Sequence, residues 1–189
     1  MYYKVKVGIS NRHIHLTEET YNKLFDEPIS KRNNLNQIGQ FASNQTVDII
    51  NGNKVINNVR IVGPFRKYNQ VEISKSDAIN LDLNPPVRTS GDLENSETIT
   101  LRTNKGEIEL PSSCIIANRH VHFNTRDVEK YHIKDKEKLK IHILDEKRGT
   151  IEVFAKVSDD GYFELHLDTD DANAFLLGQD DEVILEIDD

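Results

Sequence analysis

Tryptophan is missing from this 189-residue chain, and cysteine and methionine occur once each. With Cys114 alone no internal disulfide can form, and a reducing compartment is the natural setting. No apolar run approaches the roughly 20 residues that a membrane-crossing helix needs. The start Met1-Tyr2-Tyr3-Lys4 has neither the apolar core of a signal peptide nor an amphipathic targeting helix before the first strand. The expectation is a soluble, cytoplasmic protein with no membrane partner. Basic residues are in deficit: 24 Lys and Arg against 32 Asp and Glu give a net charge of −8, which argues against nucleic acid as a partner. A local Arg and Lys cluster can still bind a small anion, because screening confines the far field to about 8–10 Å. No Ser-His-Asp or Cys-His arrangement is apparent, and Cys114, in the run Cys114-Ile115-Ile116-Ala117, reads as a small buried apolar residue.

What the chain does have is a repeated phrase. Asn11-Arg12-His13-Ile14-His15 recurs as Asn118-Arg119-His120-Val121-His122, and these two copies take four of the seven histidines. In an extended strand, residues i and i+2 point to one face, so each copy presents two imidazoles side by side with an apolar residue turned the other way. A single His pair on a strand is more often an ordinary polar face. Adjacent imidazoles resist taking two protons, yet both can donate a lone pair to one divalent cation, so the duplication points to two metals.

A catalytic zinc takes three protein ligands and keeps an open position. Further along, Val71-Glu72-Ile73-Ser74-Lys75-Ser76-Asp77-Ala78 lines up with Leu165-His166-Leu167-Asp168-Thr169-Asp170-Asp171-Ala172, which sets Glu72 opposite His166. Either residue alone would read as solvated. Their equivalence assigns one site to His13, His15 and Glu72 and the other to His120, His122 and His166; ligand sets crossing between the halves satisfy the same pattern.

Short β-type runs separated by turn signals dominate: 4–10, 46–50, 59–62, 70–74, 98–103, 107–110, 139–143, 150–157, 162–167 and 183–186, with 113–117 leading into the second phrase. Many short strands at this spacing read as small barrels. Short capped helices are expected from Thr17 to about Phe25, from Asn124, over Lys75–Leu81 and over Thr169–Leu177. His132 and His142, in the charged stretch 131–143, read as solvated, as do Asp159, Asp160, Asp188 and Asp189. Each half repeats one order: His-x-His, short helix, strands, third ligand, helix. The fold expected is mostly β: two small pseudo-repeated β-barrels capped by short α-helices. Their boundaries are 11–117 for the first half and 1–10 plus 118–189 for the second, with the first strand exchanged into the other half's barrel. Arg66 breaks the symmetry, because its counterpart is Asp160. A planar guanidinium near divalent cations fits a bound phosphate, and one site, not two, should do the chemistry.

Together these segments resemble the phosphate propanoyltransferases, the metal-dependent phosphotransacylases of propanediol utilisation. The resemblance covers nearly the whole chain through SNRHIHL (Ser10–Leu16), IGQFA (Ile38–Ala42), VRIVGPFRKYNQVEIS (Val59–Ser74), PVRTSGDLENS (Pro86–Ser96), ANRHVHF (Ala117–Phe123) and ELHLDTDDANA (Glu164–Ala174). It implies two helix-capped β-barrels with two metals in the cleft between them, and transfer of an acetyl or propanoyl group from acyl-CoA to phosphate, reversibly, giving acyl phosphate and CoA. By the same motifs it implies zinc, or another divalent metal such as cobalt, on His13, His15, Glu72, His120, His122 and His166. It also implies phosphate on Arg66 and coenzyme A contacts at Ser10, Arg60, Val62, His166 and Asn173. A homodimer is a further expectation. Members packaged in microcompartments carry an amphipathic amino-terminal extension that this sequence does not show, so encapsulation by that route is not expected. Two other readings use the same residues: a zinc hydrolase acting on acyl-CoA or another ester, since an open His₂Glu or His₃ site activates water, and a non-enzymatic protein in which metals only hold the barrels together.

Overall fold

The computed structural model describes residues Met1–Asp188; Asp189, expected with Asp188 to be solvated charge, lies outside them. In chain order the elements are β1 (Tyr2–Ser10), β2 (His13–His15), α1 (Glu18–Leu24), β3 (Lys31–Asn34), β4 (Phe41–Asn51), β5 (Lys54–Gly63), β6 (Gln70–Glu72), α2 (Lys75–Asn80), β7 (Val87–Arg88), β8 (Glu97–Thr103) and β9 (Gly106–Ala117). They continue with β10 (His120–Asn124), a 3₁₀ turn at Thr125–Asp127 running into α3 (Val128–Tyr131), β11 (Lys138–Ile143), β12 (Gly149–Ser158), β13 (Glu164–Asp168), α4 (Thr169–Ala174) and β14 (Glu182–Glu186). The chain is mostly β, and its backbone divides into two compact units, Met1–Ser10 with Asn118–Asp189 and Asn11–Ala117.

Each unit is a closed barrel. In the first, the strands run β1, β13, β10, β12, β11, β14 and back to β1. In the second, β9, β6, β2, β5, β4 and β8 follow one another, and β8 pairs with both β4 and β9 to close the ring. The two rings have one topology. In each ring the strand that leads into the other ring's His phrase lies parallel to the ring's own Glu72 or His166 strand, β1 beside β13 and β9 beside β6. The phrase strand lies antiparallel to the strand of Glu72 or His166 and parallel to a long strand, β5 or β12. Closure gives the ring strands neighbours on both sides, and the ends of β4 and β9 that reach past the ring take β3 and β7 as further partners.

The strand cores follow the period-two rule. Along β4, Val47 and Ile49 are buried alternately with Asp48, and along β12 Ile151, Val153 and Ala155 face inward. One core gathers Val121, Phe123, Ile141, Val153, Leu165 and Leu185, and the other gathers Ile14, Val47, Ile61, Val71, Leu101 and Cys114. Each such side chain contributes about 1.5–3 kcal/mol by leaving water. Cys114 is fully buried, and burial, followed by the nearby Glu97 carboxylate, pushes its thiol up to about 12. It is a core residue.

Several boundaries differ from expectation for local reasons. The runs 107–110 and 113–117 form one strand, β9, which passes through Ser112 at φ 44° without ending. Helix α4 stops at Ala174, short of Leu177, because Leu176 takes the left-handed conformation at φ 57°. Strands β3 and β7 carry no alternating pattern: Lys31–Asn34 is exposed throughout and pairs with β4 alone, and Val87–Arg88 pairs with β9 alone. His142 is not simply solvated. Its Nδ1 meets Thr150 Oγ1 at 2.9 Å and its Nε2 pairs with Glu186, so it bridges from β11 to both neighbouring strands.

Candidate functional site

The period of two in β2 and the antiparallel register with β6 place His13 directly opposite Glu72, with His15 opposite Gln70. His13 Nε2 lies 3.6 Å from Glu72 Oε2, and the two imidazole rings stand edge to face, 4.9 Å apart. In the other barrel the same register sets His120 opposite His166 and His122 opposite Glu164. His120 Nε2 and His122 Nε2 are 3.1 Å apart, and the His166 ring centroid is 5.2 Å and 4.5 Å from theirs. In each group, one ligand-capable atom per residue lies within 4.8 Å of the others. The sets His13, His15, Glu72 and His120, His122, His166 therefore each gather inside one unit.

Backbone carbonyls orient the rings. His13 Nδ1 donates to Asn11 O at 2.8 Å and His120 Nδ1 to Asn118 O at 2.7 Å, the same local contact in both copies. His15 Nδ1 donates to Val62 O at 3.3 Å. A ring whose Nδ1 carries the proton turns an Nε2 lone pair outward, as a metal ligand requires. Burial, together with the neighbouring His13, holds His15 down from the usual 6.5 to about 3, and Arg66 adds to that effect against the opposing pull of Glu72. Burial likewise keeps His122 neutral, with His120 and His166 acting in the same direction. His122 Nδ1 is buried without a hydrogen-bond partner among the described residues. Convergent imidazoles, with one carboxylate in the first group, form a donor set suited to a borderline divalent cation, and these residues fit one in each barrel.

Arg66 sits half-buried in the loop between β5 and β6, in the same unit as His15. Its backbone N–H donates to Leu16 O at 2.8 Å, which ties that loop to the end of the first His phrase. Asp160, its counterpart in the repeat, offers no cation to the other barrel. Of the residues that the resemblance assigns to coenzyme A, Arg60 lies on β5 beside His13 and donates from Nη1 to Ser43 O and Asn44 O at 2.9 and 3.1 Å. Val62 is buried and supplies the carbonyl that holds His15. Ser10 ends β1, half-buried and in register with Asp168, and Asn173 is exposed on α4. Arg60, Val62 and Arg66 belong to one unit, and Ser10, His166 and Asn173 to the other.

Sequence reasoning missed the supports behind these residues. Arg12 grips Asp77 with two contacts of 2.8 and 2.9 Å, while Asp77 also accepts from the Ser74 backbone in the capping box that starts α2. Arg119 meets Asp171, the equivalent residue of α4, at 3.4 Å. The arginine of each phrase is thus clamped to the helix that follows Glu72 or His166. The signal was present, because Arg and Asp recur in both copies. Gln70 donates to Glu72 Oε1 and to Ser90 Oγ, and it accepts the Gly91 N–H at 2.7 Å. Tyr162 and Glu164 crowd His166, and burial followed by Glu164 raises the Tyr162 phenol above its usual range.

With this geometry in view, comparison with known proteins is specific. The sequence model of the phosphate propanoyltransferase family matches residues 6–178. A phosphate propanoyltransferase of Thermotoga maritima is 42% identical over 183 residues, spanning 95% of this chain and 87% of the relative. Phosphate propanoyltransferases of Shewanella putrefaciens and Salmonella typhimurium are 42% and 40% identical, each over 90% of this chain and 82% of the relative.

Proposed function

The chain belongs to the phosphate propanoyltransferase family and is an acyltransferase, and we propose that it moves the acyl group of propanoyl-CoA or acetyl-CoA to inorganic phosphate, reversibly. A phosphate oxygen attacks the thioester carbonyl, the C–O bond forms, the C–S bond breaks, and coenzyme A departs as the thiolate, which then takes up the proton that hydrogen phosphate brought. No protein nucleophile is needed. The observation that carries this reading is the pair of three-donor groups on one barrel topology, only one of which has an arginine in the loop behind it.

The six donors His13, His15, Glu72, His120, His122 and His166 would hold two divalent cations, zinc above all. Such ions supply Lewis acidity toward a carbonyl oxygen and affinity for a thiolate. The residues themselves do the positioning. Asn11 O, Asn118 O and Val62 O hold Nδ1 of their rings, so each Nε2 is aimed before any substrate arrives. Arg66 binds the phosphate through its fork of N–H donors and offsets its charge, which lets an anionic nucleophile approach a centre from which an anionic thiolate departs. Ser10, Arg60, Val62, His166 and Asn173 are proposed to receive coenzyme A. The cytoplasm, where acyl-CoA and phosphate are both abundant and Cys114 stays reduced, is the proposed location.

Phosphate dependence tests the transferase reading against hydrolysis. Incubation with propanoyl-CoA should release free thiol, and form acyl phosphate trapped as hydroxamate, only when phosphate is present. Equal thiol release without phosphate and no hydroxamate would establish the hydrolase instead.

A further inference from the structure

Two residues before each third ligand, on the same strand, stands a side chain that touches it. In β6 this is Gln70, whose Nε2 donates to Glu72 Oε1. In β13 it is Glu164, whose Oε1 lies 3.0 Å from His166 Nε2. The pair has reversed its polarity between the barrels: an amide donor stands beside the acidic ligand, and a carboxylate acceptor beside the basic one. Each partner is in turn held. Gln70 is fixed by Ser90 and the Gly91 amide, and Glu164, only 6% exposed, receives the Tyr162 hydroxyl at 3.2 Å while Tyr162 also reaches His166 Nε2 at 2.6 Å.

A second observation comes from the neighbouring strand. Gly8 of β1 is in register with His166, and a Cβ added there would lie 2.2 Å from Glu164 Oε1 and 3.0 Å from the His166 ring. The carboxylate occupies the space that any other residue at position 8 would fill. In the sister barrel the position across from Glu72 is Ile115, and there Gln70 turns instead toward Ser90 and Gly91. The missing side chain at Gly8 belongs to the carboxylate version of the pair.

We propose that Glu164, admitted by Gly8 and steadied by Tyr162, is the positioning carboxylate of the second centre, and that Gln70 plays the matching part in the first. Glu164 takes the N–H of His166 at Nε2, fixing the ring and raising the basicity of its other nitrogen; Gln70 holds Oε1 of Glu72 and so sets the direction in which the carboxylate presents Oε2, on the side of His13. A ligating histidine backed by a carboxylate is a stronger and better-aimed donor than one backed by solvent, and loss of such a partner lowers metal affinity about 10- to 100-fold. The inference rests on the reading of the six donors as cation ligands.

The test is cobalt(II) binding to protein stripped of metal, followed by visible absorption and by equilibrium dialysis, on wild type, Glu164→Gln, Gly8→Ala and Tyr162→Phe. Wild type should take up two ions. Glu164→Gln should bind one ion as tightly as wild type and the second about 10- to 100-fold more weakly, with the absorption of that second ion altered. Gly8→Ala keeps the carboxylate but displaces it, and should reproduce the same selective loss; Tyr162→Phe should show a smaller one. Unchanged affinity and spectrum at both centres in Glu164→Gln would overturn the positioning role while leaving the metal centres standing. A wild-type protein that binds no divalent cation would overturn both.

Discussion

Acidification of the metal-free protein should destabilise it through His15, by an amount that follows from burial. In the folded state His15 titrates near 3, because burial first and the neighbouring His13 next oppose its charged form. In the unfolded chain the same group titrates near 6.5. Between those values the unfolded chain takes up a proton that the folded protein refuses, so stability rises with pH across the window. The contribution is complete above pH 6.5 and is lost as pH falls toward 3. The slope is about 1.4 kcal/mol per pH unit, so His15 alone removes about 2 kcal/mol by pH 5. That is a shift in midpoint of about 8–16 °C for a unit of this size. Urea unfolding of chelator-treated protein at pH 7, 6 and 5, set beside His15→Gln, isolates the effect because glutamine cannot titrate. The variant should show a flatter dependence by about 2 kcal/mol over this range. Parallel curves for the two proteins would refute the assignment of a buried neutral imidazole. Buried His122 acts with the same sign in the other barrel, and saturating divalent cation should protect both until protons displace it.

Arg66→Ala should leave fold and metal content unchanged and lower turnover by ~10²–10³, because a preorganised charge facing phosphate is lost; a fall below about threefold would remove Arg66 from the mechanism. Glu72→Ala and His166→Ala should each release about one metal per chain and abolish acyl transfer, as measured by elemental analysis and hydroxamate formation. Full occupancy in both would sink the ligand scheme. His132→Gln and His142→Gln should keep both metals and near-normal turnover, the second with a stability loss of about 1 kcal/mol as the Glu186 contact goes. A lost metal in either folded variant would mean that position in the repeat does not select the ligands.

The mostly β, barrel-based fold was legible because alternation in runs such as 46–50 and 150–157 is a strong signal, and the turn residues between runs space the strands. The gathering of His13 with Glu72, and of His120 with His166, follows from a strand period of two combined with one repeated register, both of which leave a trace in residue order. What stayed hidden depends on pairings that leave none. Lys31–Asn34 becomes a strand only because β4 offers it an edge, and Leu176 ends α4 through a backbone conformation its side chain does not announce. The Arg12–Asp77 clamp, the contact of Gln70 with Glu72 and the crowding of His166 by Glu164 and Tyr162 join side chains that only the folded strands and helices bring together. His142 read as solvated because its partner Glu186 lies three strands later in the chain.

The central claim, two cation centres serving one phosphate-dependent acyl transfer, is tested most directly by adding zinc stepwise to stripped protein in the presence of propanoyl-CoA and phosphate. Acyl phosphate formation should be negligible at the start and should reach its plateau only as the second equivalent binds. Full activity in the stripped protein, or a plateau at one equivalent, would contradict the account.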